Sequence, residues 1–266
     1  MTAVAAPPWR FLAIDAGNSS AKVAVWDGAR WSDVVRFDYA AGADEWAARI
    51  GALVPHGTPA GLACVVPQHA EALTAGVTVA TGRAPVRVSA QLPLPFAMAY
   101  RTPETLGADR IAASVAAFGL GGGRPVVAID AGTAVTVDTV DVRGGQAVYL
   151  GGAIAPGAEM LVQALARGTG ALPHIPFGGS ILTVGDSTAE CIRTGVAAFL
   201  GAGVERLVAE TATVLSSAPF IVATGGAAPW LDARGVAIDV LVPTLVLDGV
   251  RLLCALTGGA ASSRRR

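Results

Sequence analysis

A chain of 266 residues is long enough for one large domain or two small ones, and a core of that size needs neither a disulfide nor a metal for stability. Hydrophobic residues make up 53% and the mean hydropathy is +0.55, but the longest informative uncharged run, between Glu210 and Asp232, is interrupted by prolines and glycines, which excludes a membrane helix. The net charge of −1, with scattered charges, gives a nucleic-acid partner little support.

The termini, cysteines and histidines exclude further classes of protein. No basic segment precedes the first apolar run, so no signal peptide is expected, and residues 1–9 and 264–266 are predicted to be a loose lead-in and a frayed basic tail. Three widely spaced cysteines without a Cys-x-x-Cys pair are expected to be small buried residues in a reducing compartment, which favours the cytoplasm. The histidines stand singly, without partners at metal or triad spacing. The cysteines are Cys64, Cys191 and Cys254, and the histidines are His56, His69 and His174.

The first predicted element is a hairpin whose strands, residues 11–14 and 22–26, flank an Asp-Ala-Gly turn. Alternation in the second strand places Lys22 and Trp26 on one face and Val23 on the other. Lys22 is the only lysine among the 19 basic residues. Chance retention would explain it, and so would a function, because a compact ammonium fits beside a phosphate where the planar fork of arginine would not.

The remaining elements of the first half alternate between strands and helices. The glycines within residues 119–123 end the last helix of this half, and they are the best candidate for a boundary between the two halves of the chain. In chain order the prediction is a helix at 44–50, a buried strand at 60–66, the start of a helix at 68–75, a strand–turn–strand within 77–88, and an alanine-rich helix from Ala108.

The second half repeats this alternation. The whole chain is therefore predicted to be α/β, with mixed sheets flanked by helices. In chain order its elements are a hairpin at 126–141, a third strand at 146–150, a helix at 158–166, an irregular loop at 172–181, a long helix at 185–210, a strand at 220–223 and a closing helix at 247–256.

The two hairpins share the sequence Ala-Ile-Asp-Ala-Gly, at residues 13–17 and 128–132. The flanking pattern recurs with it, because each copy passes from an apolar strand through the Asp-Ala-Gly turn and a hydroxyl residue into a second apolar strand. We interpret this as an internal duplication. It predicts two similar halves, residues 10–120 and 124–257, with a cleft between them that both hairpins face.

A carboxylate at the end of a strand, followed by a glycine turn, suits nucleotide binding. The glycine lets backbone N–H groups approach a phosphate closely, and the carboxylate holds the divalent cation that a triphosphate carries, directly or through water. Asp15 and Asp130 occupy this position in the two hairpins, and Ser19, Ser20 and Thr133 add hydroxyl groups. A single such turn is weak evidence, but two matched copies favour phosphate binding.

Gly-Ala-Asp-Arg at residues 107–110 is the second candidate site, and two interpretations stay open. Asp109 lies in the first turn of the predicted helix, where the helix dipole favours a carboxylate, so it suits a helix-capping residue followed by a surface arginine. Alternatively, Asp109 is the base for an alcohol nucleophile and Arg110 anchors an anionic substrate.

A set of motifs extends over nearly the whole chain. The motifs are DAGNSSAK (15–22), Y-x-x-P-x-x-LGADR (100–110), AIDAGTAVTVD (128–138), YLGGAIAPG (149–157), GDSTAECIRTG (185–195), TGG (224–226) and PTLVLDGV (243–250). Together and in this order they resemble type III pantothenate kinases. That family belongs to the actin-like ATPase and acetate and sugar kinase superfamily, so the resemblance implies an actin-like ATPase fold of two duplicated ribonuclease-H-like halves with a cleft between them.

The resemblance implies a role for individual residues. Asp109 matches the proton acceptor, Asp130 the monovalent-cation position, and Asp15 a position near Mg²⁺. The implied ATP-binding residues are Asp15, Ala16, Gly17, Asn18, Ser19, Ser20, Ala21, Lys22 and Thr133. The implied pantothenate-binding residues are Tyr100, Gly107, Ala108, Asp109, Arg110 and Thr188.

The resemblance further implies ATP-dependent phosphorylation of pantothenate to 4′-phosphopantothenate, the first step of coenzyme A biosynthesis. Its implied cofactors are Mg²⁺ with ATP and a monovalent cation, K⁺ or ammonium, and its implied assembly is a homodimer. Two positions depart from the family pattern, Ser19 where threonine is commoner and Thr102 where many members have asparagine. The alternatives are another small-molecule kinase of the superfamily and a non-catalytic regulatory relative.

Overall fold

The computed structural model describes residues 10–179 and 181–263, of which 259–263 are described by their backbone alone. The lead-in predicted at residues 1–9 and the tail predicted at 264–266 lie outside the described residues, as does Ser180 of the predicted loop.

The first half begins with the predicted hairpin and carries two outer helices. The predicted short helix and the buried strand before Pro67 are both present. The elements are β1 (Phe11–Ala16), β2 (Ala21–Trp26), β3 (Val35–Phe37), α1 (Ala43–Gly51), β4 (Ala60–Cys64), α2 (Pro67–Thr81) and β5 (Val86–Arg87).

The prediction of a strand–turn–strand within residues 77–88 is wrong, because α2 continues to Thr81. Its buried residues Leu73, Val77 and Thr81 recur every four residues and face the first sheet, so tertiary packing outweighs the β preference of valine and threonine. The helix ends at Gly82, whose φ of 71° is a left-handed conformation that glycine adopts without strain. Within the predicted range, the structure has one strand, the two-residue β5.

The second half repeats the pattern after a connecting region. The long helix begins at Thr188, later than predicted, because the Ser187 hydroxyl caps it by accepting a bond from the backbone N–H of Glu190 at 3.3 Å. The elements are β6 (Ala97–Met98), a 3₁₀ turn (Pro103–Thr105), α3 (Ala108–Leu120), β7 (Val126–Ala131), β8 (Ala134–Arg143), β9 (Gln146–Pro156), α4 (Ala158–Gly168), α5 (Thr188–Thr213), β10 (Phe220–Thr224), α6 (Ala228–Asp232), β11 (Val240–Leu241) and α7 (Leu245–Ser263).

Both sheets have the same strand order, which confirms the duplication. The first sheet runs β3-β2-β1-β4-β5. Written in the same direction, the second sheet runs β9-β8-β7-β10-β11, with β6 added beside β9. In each sheet the first three strands in chain order pair antiparallel, and the two that follow lie parallel to the first. The predicted α/β class, with mixed sheets and two ribonuclease-H-like halves, is therefore confirmed.

The alternation along β1 and β7 separates three cores. Leu12 and Ile14 pack under α1 and α2, and Val127 and Ile129 pack under α4, α5 and α6. The opposite faces of both sheets, with Phe11 and Val126 among their residues, meet in one central core that contains α3 and α7. The division at 10–120 and 124–257 remains a prediction.

Helices α3 and α7 pack against one another between the sheets, and α7 also covers β1 and β4. The crossing is close, because a Cβ atom added to Gly249 of α7 would lie 1.8 Å from the carbonyl oxygen of Ala112 in α3. Gly61 of β4 is similarly close to α7, since a Cβ there would lie 2.5 Å from Val250. Only glycine permits these contacts, so two glycines determine how tightly α7 joins the two halves.

Asp141 is a buried carboxylate that fastens β8 to the loop after α5. Its oxygens accept bonds from the backbone N–H of Val142 at 2.8 Å, the Ser216 hydroxyl at 2.7 Å and Nε of Arg143 at 2.7 Å. Burial alone would raise the pKa of Asp141, but the bonds from Ser216, Arg143 and Val142 outweigh burial and lower the pKa to about 2.

Asp141→Asn is expected to reduce the free energy of unfolding by about 2 kcal/mol at pH 7. A carboxyl whose folded pKa is depressed stabilises the fold above its unfolded pKa, and this contribution is lost as the pH falls through the folded value. Urea unfolding at several pH values is therefore expected to show a difference between the two proteins that is constant near neutrality and narrows below about pH 4. A difference that does not change between pH 7 and pH 3 would contradict the assigned role of the charge.

Within the part of the chain that the structure describes, no helix is both long and apolar enough to cross a membrane. The cysteine prediction is only partly right. Cys254 is buried and Cys64 half-buried, but Cys191 is exposed on α5, because it lies outside the apolar stripe that contains Ile192 and Val196.

Candidate active site

The turns of the two repeated hairpins enclose a cavity of about 280 Å³. The duplication therefore brings together two segments that are 115 residues apart in sequence, as the predicted cleft requires. The residues that line the cavity are Asp15, Gly17, Asn18, Ser19, Ser20, Lys22, Arg36, Val65, Asp109, Asp130, Gly132, Thr133, Ala134, Thr136, Gly225 and Gly226.

A larger groove of about 720 Å³ lies elsewhere, along the C-terminal part of α3 and along α7. Its walls are mostly apolar, and none of the predicted site residues lines it. The smaller, polar cavity is therefore the candidate active site.

The first wall of the cavity carries Asp15 and Lys22, which stand opposite one another in the β1–β2 register. Nζ of Lys22 lies 3.2 Å from Oδ2 of Asp15. Burial raises the pKa of Asp15, and the neighbouring charges of Lys22 and Arg36 counteract it only in part. This edge therefore offers a buried carboxylate beside an ammonium group that remains partly open to the cavity.

The turn between these strands is held from outside. The Tyr39 hydroxyl donates to the backbone carbonyl of Gly17, and the Tyr39 ring stacks on His69 with their centroids 4.4 Å apart. Gly17, Asn18 and Ser20 line the cavity, whereas Ala16 and Ala21 are buried in the first sheet beneath it.

The second wall carries Asp130 and Thr133, and the two walls touch. Oγ of Ser19 lies 2.9 Å from Oγ1 of Thr133, a hydrogen bond that spans the cleft. Gly225 closes the second wall from behind with a φ of 92°, and a Cβ there would lie 2.5 Å from the Ala131 carbonyl. The glycine of the Thr-Gly-Gly motif is thus required for β10 to approach the second hairpin.

Asp130 has a raised pKa of about 6. Burial is the main cause, and the nearby carboxylates of Asp15, Asp109 and Asp138 add to it, while Lys22 counteracts it. Because its surroundings disfavour the ionised form of Asp130, a cation bound beside the carboxylate would stabilise that form.

Asp109 reaches the same cavity from the N-terminus of α3. Gly107 is the N-cap of that helix, and Oδ1 of Asp109 accepts a bond from the backbone N–H of Arg110 at 2.7 Å. Burial raises the pKa of Asp109, and the carboxylates of Asp15 and Asp138 raise it further. The cavity therefore contains three carboxylates, from β1, α3 and β7, that face the same space.

Arg110 is buried behind the cavity and does not line it. Its Nε and Nη2 atoms donate to the carboxylate of Asp138 at 3.0 and 2.7 Å. The Tyr149 hydroxyl donates to Oδ1 of Asp138, and the Tyr100 ring packs edge-on against Tyr149 with their centroids 6.0 Å apart. The alternative of a surface arginine is therefore wrong, while a substrate-binding role for Arg110 and Tyr100 remains a prediction.

The other predicted acceptor residues lie at the borders of the cavity or outside it. Gly107 and Ala108 form the turn into α3 immediately before Asp109. Thr188 is exposed at the start of α5 and is not among the residues that line the cavity.

Sequence reasoning assigned no role to several residues that the structure places at the site, among them Arg36, Val65, Thr136 and Asp138. Arg36 of β3 stands opposite Lys22 and adds a second cation to the first wall. Thr136 lines the cavity, and Asp138, two residues further along β8, pairs with Arg110. An aspartate at an inward-facing position of an apolar strand was the available signal for Asp138, because a buried carboxylate requires a partner. For Val65, nothing in the sequence indicated a place at the site.

The carboxylates fit cation binding in chemical type, since Mg²⁺ and K⁺ prefer oxygen ligands. Among residues 10–179 and 181–263, no three His, Cys, Asp or Glu side chains converge at metal-binding distances. Mg²⁺ sites of nucleotide enzymes commonly use one or two carboxylates and complete the shell with phosphate and water. Asp15, the carboxylate at the first hairpin turn, suits such shared ligation.

Comparison with known proteins identifies the family of this chain. A family model for type III pantothenate kinase matches residues 11–210. A type III pantothenate kinase of Gluconobacter oxydans is 34% identical over 251 residues, which span 91% of this chain and 92% of that protein. One from Chlorobaculum parvum is 37% identical over 210 residues, 76% of each.

Among solved structures, a conserved Baf family protein of Campylobacter jejuni superposes with a TM-score of 0.59 over 93% of this chain and 99% of that chain. Its sequence identity of 18% limits this likeness to the fold. The family model and the relatives, by contrast, match in sequence over most of the chain, and they show that the chain belongs to the type III pantothenate kinase family.

Proposed function

We propose that the protein transfers the γ-phosphoryl group of ATP to the primary hydroxyl of pantothenate, giving 4′-phosphopantothenate and ADP at the first step of coenzyme A biosynthesis. The observation that carries this proposal is the meeting of two Asp-Gly hairpin turns and the Asp109 carboxylate in one polar cavity. Family membership supplies the acceptor. Phosphoryl transfer proceeds through a loose transition state, so positioning and charge neutralisation provide most of the rate.

The N-terminal hairpin suits the phosphates. The backbone of residues 16–21 and the Ser19 and Ser20 hydroxyls offer donors around the turn, and Lys22 and Arg36 supply positive charge on adjacent strands. Thr133 offers a hydroxyl from the opposite wall. Mg²⁺ carried by ATP would neutralise phosphate charge, with Asp15 as its carboxylate partner, directly or through water.

Asp109 suits the proton acceptor for the pantothenate hydroxyl. Its raised pKa makes it a stronger base than an ordinary carboxylate, and its ionised form would accept the proton of the acceptor hydroxyl. Tyr100, Gly107, Ala108, Arg110 and Thr188 are proposed to hold the acceptor.

The remaining roles concern a second cation and the assembly. Asp130 suits a monovalent cation, because a single positive charge would relieve the repulsion among the carboxylates that raises its pKa. A homodimer and a cytoplasmic location follow from family likeness and from the sequence composition, and are proposed on that basis alone.

An acceptor panel tests the proposed function. The purified protein is incubated with ATP, Mg²⁺ and K⁺, and the release of ADP is followed with pantothenate, sugars or short hydroxy acids. Stimulation by pantothenate, with 4′-phosphopantothenate identified by mass, is the expected result. Stimulation by another acceptor alone would favour a different kinase, and no stimulation by any acceptor would favour a regulatory relative.

Lys22→Arg is expected to raise the KM for ATP roughly 5- to 30-fold, equivalent to about 1–2 kcal/mol, with a smaller change in the KM for pantothenate. The guanidinium keeps the charge but is too large for the space that the ammonium occupies beside Asp15. Arg30→Lys is a matched control, since it makes the reverse exchange at an exposed residue paired with Asp27 in the same half. Unchanged ATP kinetics in Lys22→Arg would leave chance retention as the explanation for the single lysine.

A further inference from the structure

Asp138 is the centre of a buried polar network behind the candidate site. Only 1% of its side chain is exposed, and 7% of that of Arg110. Nε of Arg110 lies 3.0 and 3.1 Å from the two Asp138 oxygens, and Nη2 lies 2.7 Å from Oδ1. Asp138 also accepts a bond from the Tyr149 hydroxyl.

This geometry leaves Arg110 little freedom. Two of its three guanidinium nitrogens are held by one carboxylate, and paired N–H···O bonds of this kind fix the plane of the group as well as its position. The Asp138 carboxylate is itself fixed, because Tyr149 is fully buried and its hydroxyl donates to the same Oδ1 atom. A pair that is buried this deeply costs desolvation energy and is a weak source of stability, so its retention calls for another reason.

The network is connected to the site at three points. Arg110 donates its backbone N–H to Oδ1 of Asp109, the proposed base. Tyr100, a proposed acceptor-binding residue, packs edge-on against Tyr149 with their centroids 6.0 Å apart, and Thr136, two residues before Asp138 on β8, lines the cavity. Displacement of Arg110 would therefore disturb the acceptor residues rather than the phosphate hairpin.

We propose that Asp138 is a positioning residue for the acceptor: it holds the Arg110 guanidinium in the orientation that binds pantothenate, and Tyr149 holds Asp138. Asp138 itself does not contact the acceptor. This inference rests on the proposed function, and it adds a residue for which neither the sequence motifs nor the family likeness supplied a role.

The test compares two buried aspartates of the same strand. Asp138→Asn keeps the shape of the side chain but removes its charge, so the KM for pantothenate is expected to rise about 10- to 100-fold while the KM for ATP changes less than about 3-fold. Asp141→Asn is the matched control, because Asp141 is also buried on β8 and bonded to an arginine, Arg143, but its other side-chain partner, Ser216, lies in the loop after α5, away from the residues that line the cavity. It is expected to lose stability and to keep the wild-type KM for pantothenate.

A double-mutant cycle separates positioning from a general loss of structure. If Asp138 acts through Arg110, then Asp138→Asn should cost little further kcat/KM for pantothenate in a protein that already carries Arg110→Gln. Tyr149→Phe provides a milder variant in case Asp138→Asn folds poorly, and an increase of about 2- to 5-fold in the KM for pantothenate is expected from it.

The kinetics of these variants distinguish a positioning role of Asp138 from a purely structural one. A selective effect on pantothenate that disappears in the Arg110→Gln background supports positioning. Equal behaviour of Asp138→Asn and Asp141→Asn, an additive loss in the double variant, or wild-type kinetics in Tyr149→Phe together with Asp138→Asn would overturn it. Wild-type protein that turns over no pantothenate would instead refute the proposed function, so the two failures are distinguishable.

Discussion

Asp109→Asn is expected to lower kcat by about 10²- to 10⁴-fold, because the amide keeps the shape of the side chain but accepts no proton from the attacking hydroxyl. Binding of ATP should persist, since Asp15, Lys22 and Thr133 are unchanged and lie on the hairpins. Initial rates with saturating pantothenate and equilibrium binding of a nucleotide measure the two effects separately.

The matched control for this variant is Asp44→Asn. Asp44 is also in the first turn of a helix but is exposed on α1 and does not line the cavity. It should keep the wild-type kcat. Turnover of Asp109→Asn at a near-normal rate would exclude the residue as the base.

The pH dependence gives a second signature of Asp109. Burial raises its pKa, so protonation begins at a higher pH than for an ordinary carboxyl group. The kcat of the wild type is expected to fall as the pH drops through that raised value, and the residual activity of Asp109→Asn should lack this acid limb. The same limb in both proteins would assign it to another group.

Gly249→Val is expected to destabilise the protein by at least about 3 kcal/mol. The added side chain begins 1.8 Å from the Ala112 carbonyl, and neither helix backbone can yield without separating the two halves. A lower urea midpoint with an unchanged m-value is the expected measurement.

Gly258→Val makes the same change on the same helix, where a Cβ meets no atom within 4 Å. Valine has a better helix propensity than glycine, so this control should be neutral or slightly stabilising. Equal destabilisation of both variants would show that the cost arises from the valine in a helix and not from the α3–α7 crossing.

Much of the fold could be predicted from local patterns. The repeated hairpins have β-branched strands and a shared turn, and their alternation correctly placed Lys22 and Trp26 on the face opposite Val23. The error at residues 77–88 arose because Val77 and Thr78 favour strands locally, while the spacing of Leu73, Val77 and Thr81 favours a buried helix face.

The site was accessible to sequence reasoning only where its residues stand in a motif. Asp15, Asp109, Asp130 and Thr133 were proposed from their turns, and all four line the cavity. The Arg110–Asp138 ion pair was not predicted, because the two residues are 28 positions apart on different elements and nothing in the local sequence indicates that they meet. Which of these residues bind each substrate remains a prediction.

The position of α7 has a consequence for how the protein is made. The inner face of the first sheet, which includes Phe11 and Gly61, is covered by Val250 and Cys254 of the last helix. During synthesis this apolar face emerges almost 200 residues before its cover, and at about 5–20 residues per second it stays uncovered for roughly 10 to 40 seconds. The first sheet is thus translated well before the helix that completes its core, and that interval is when the nascent chain most needs protection from aggregation.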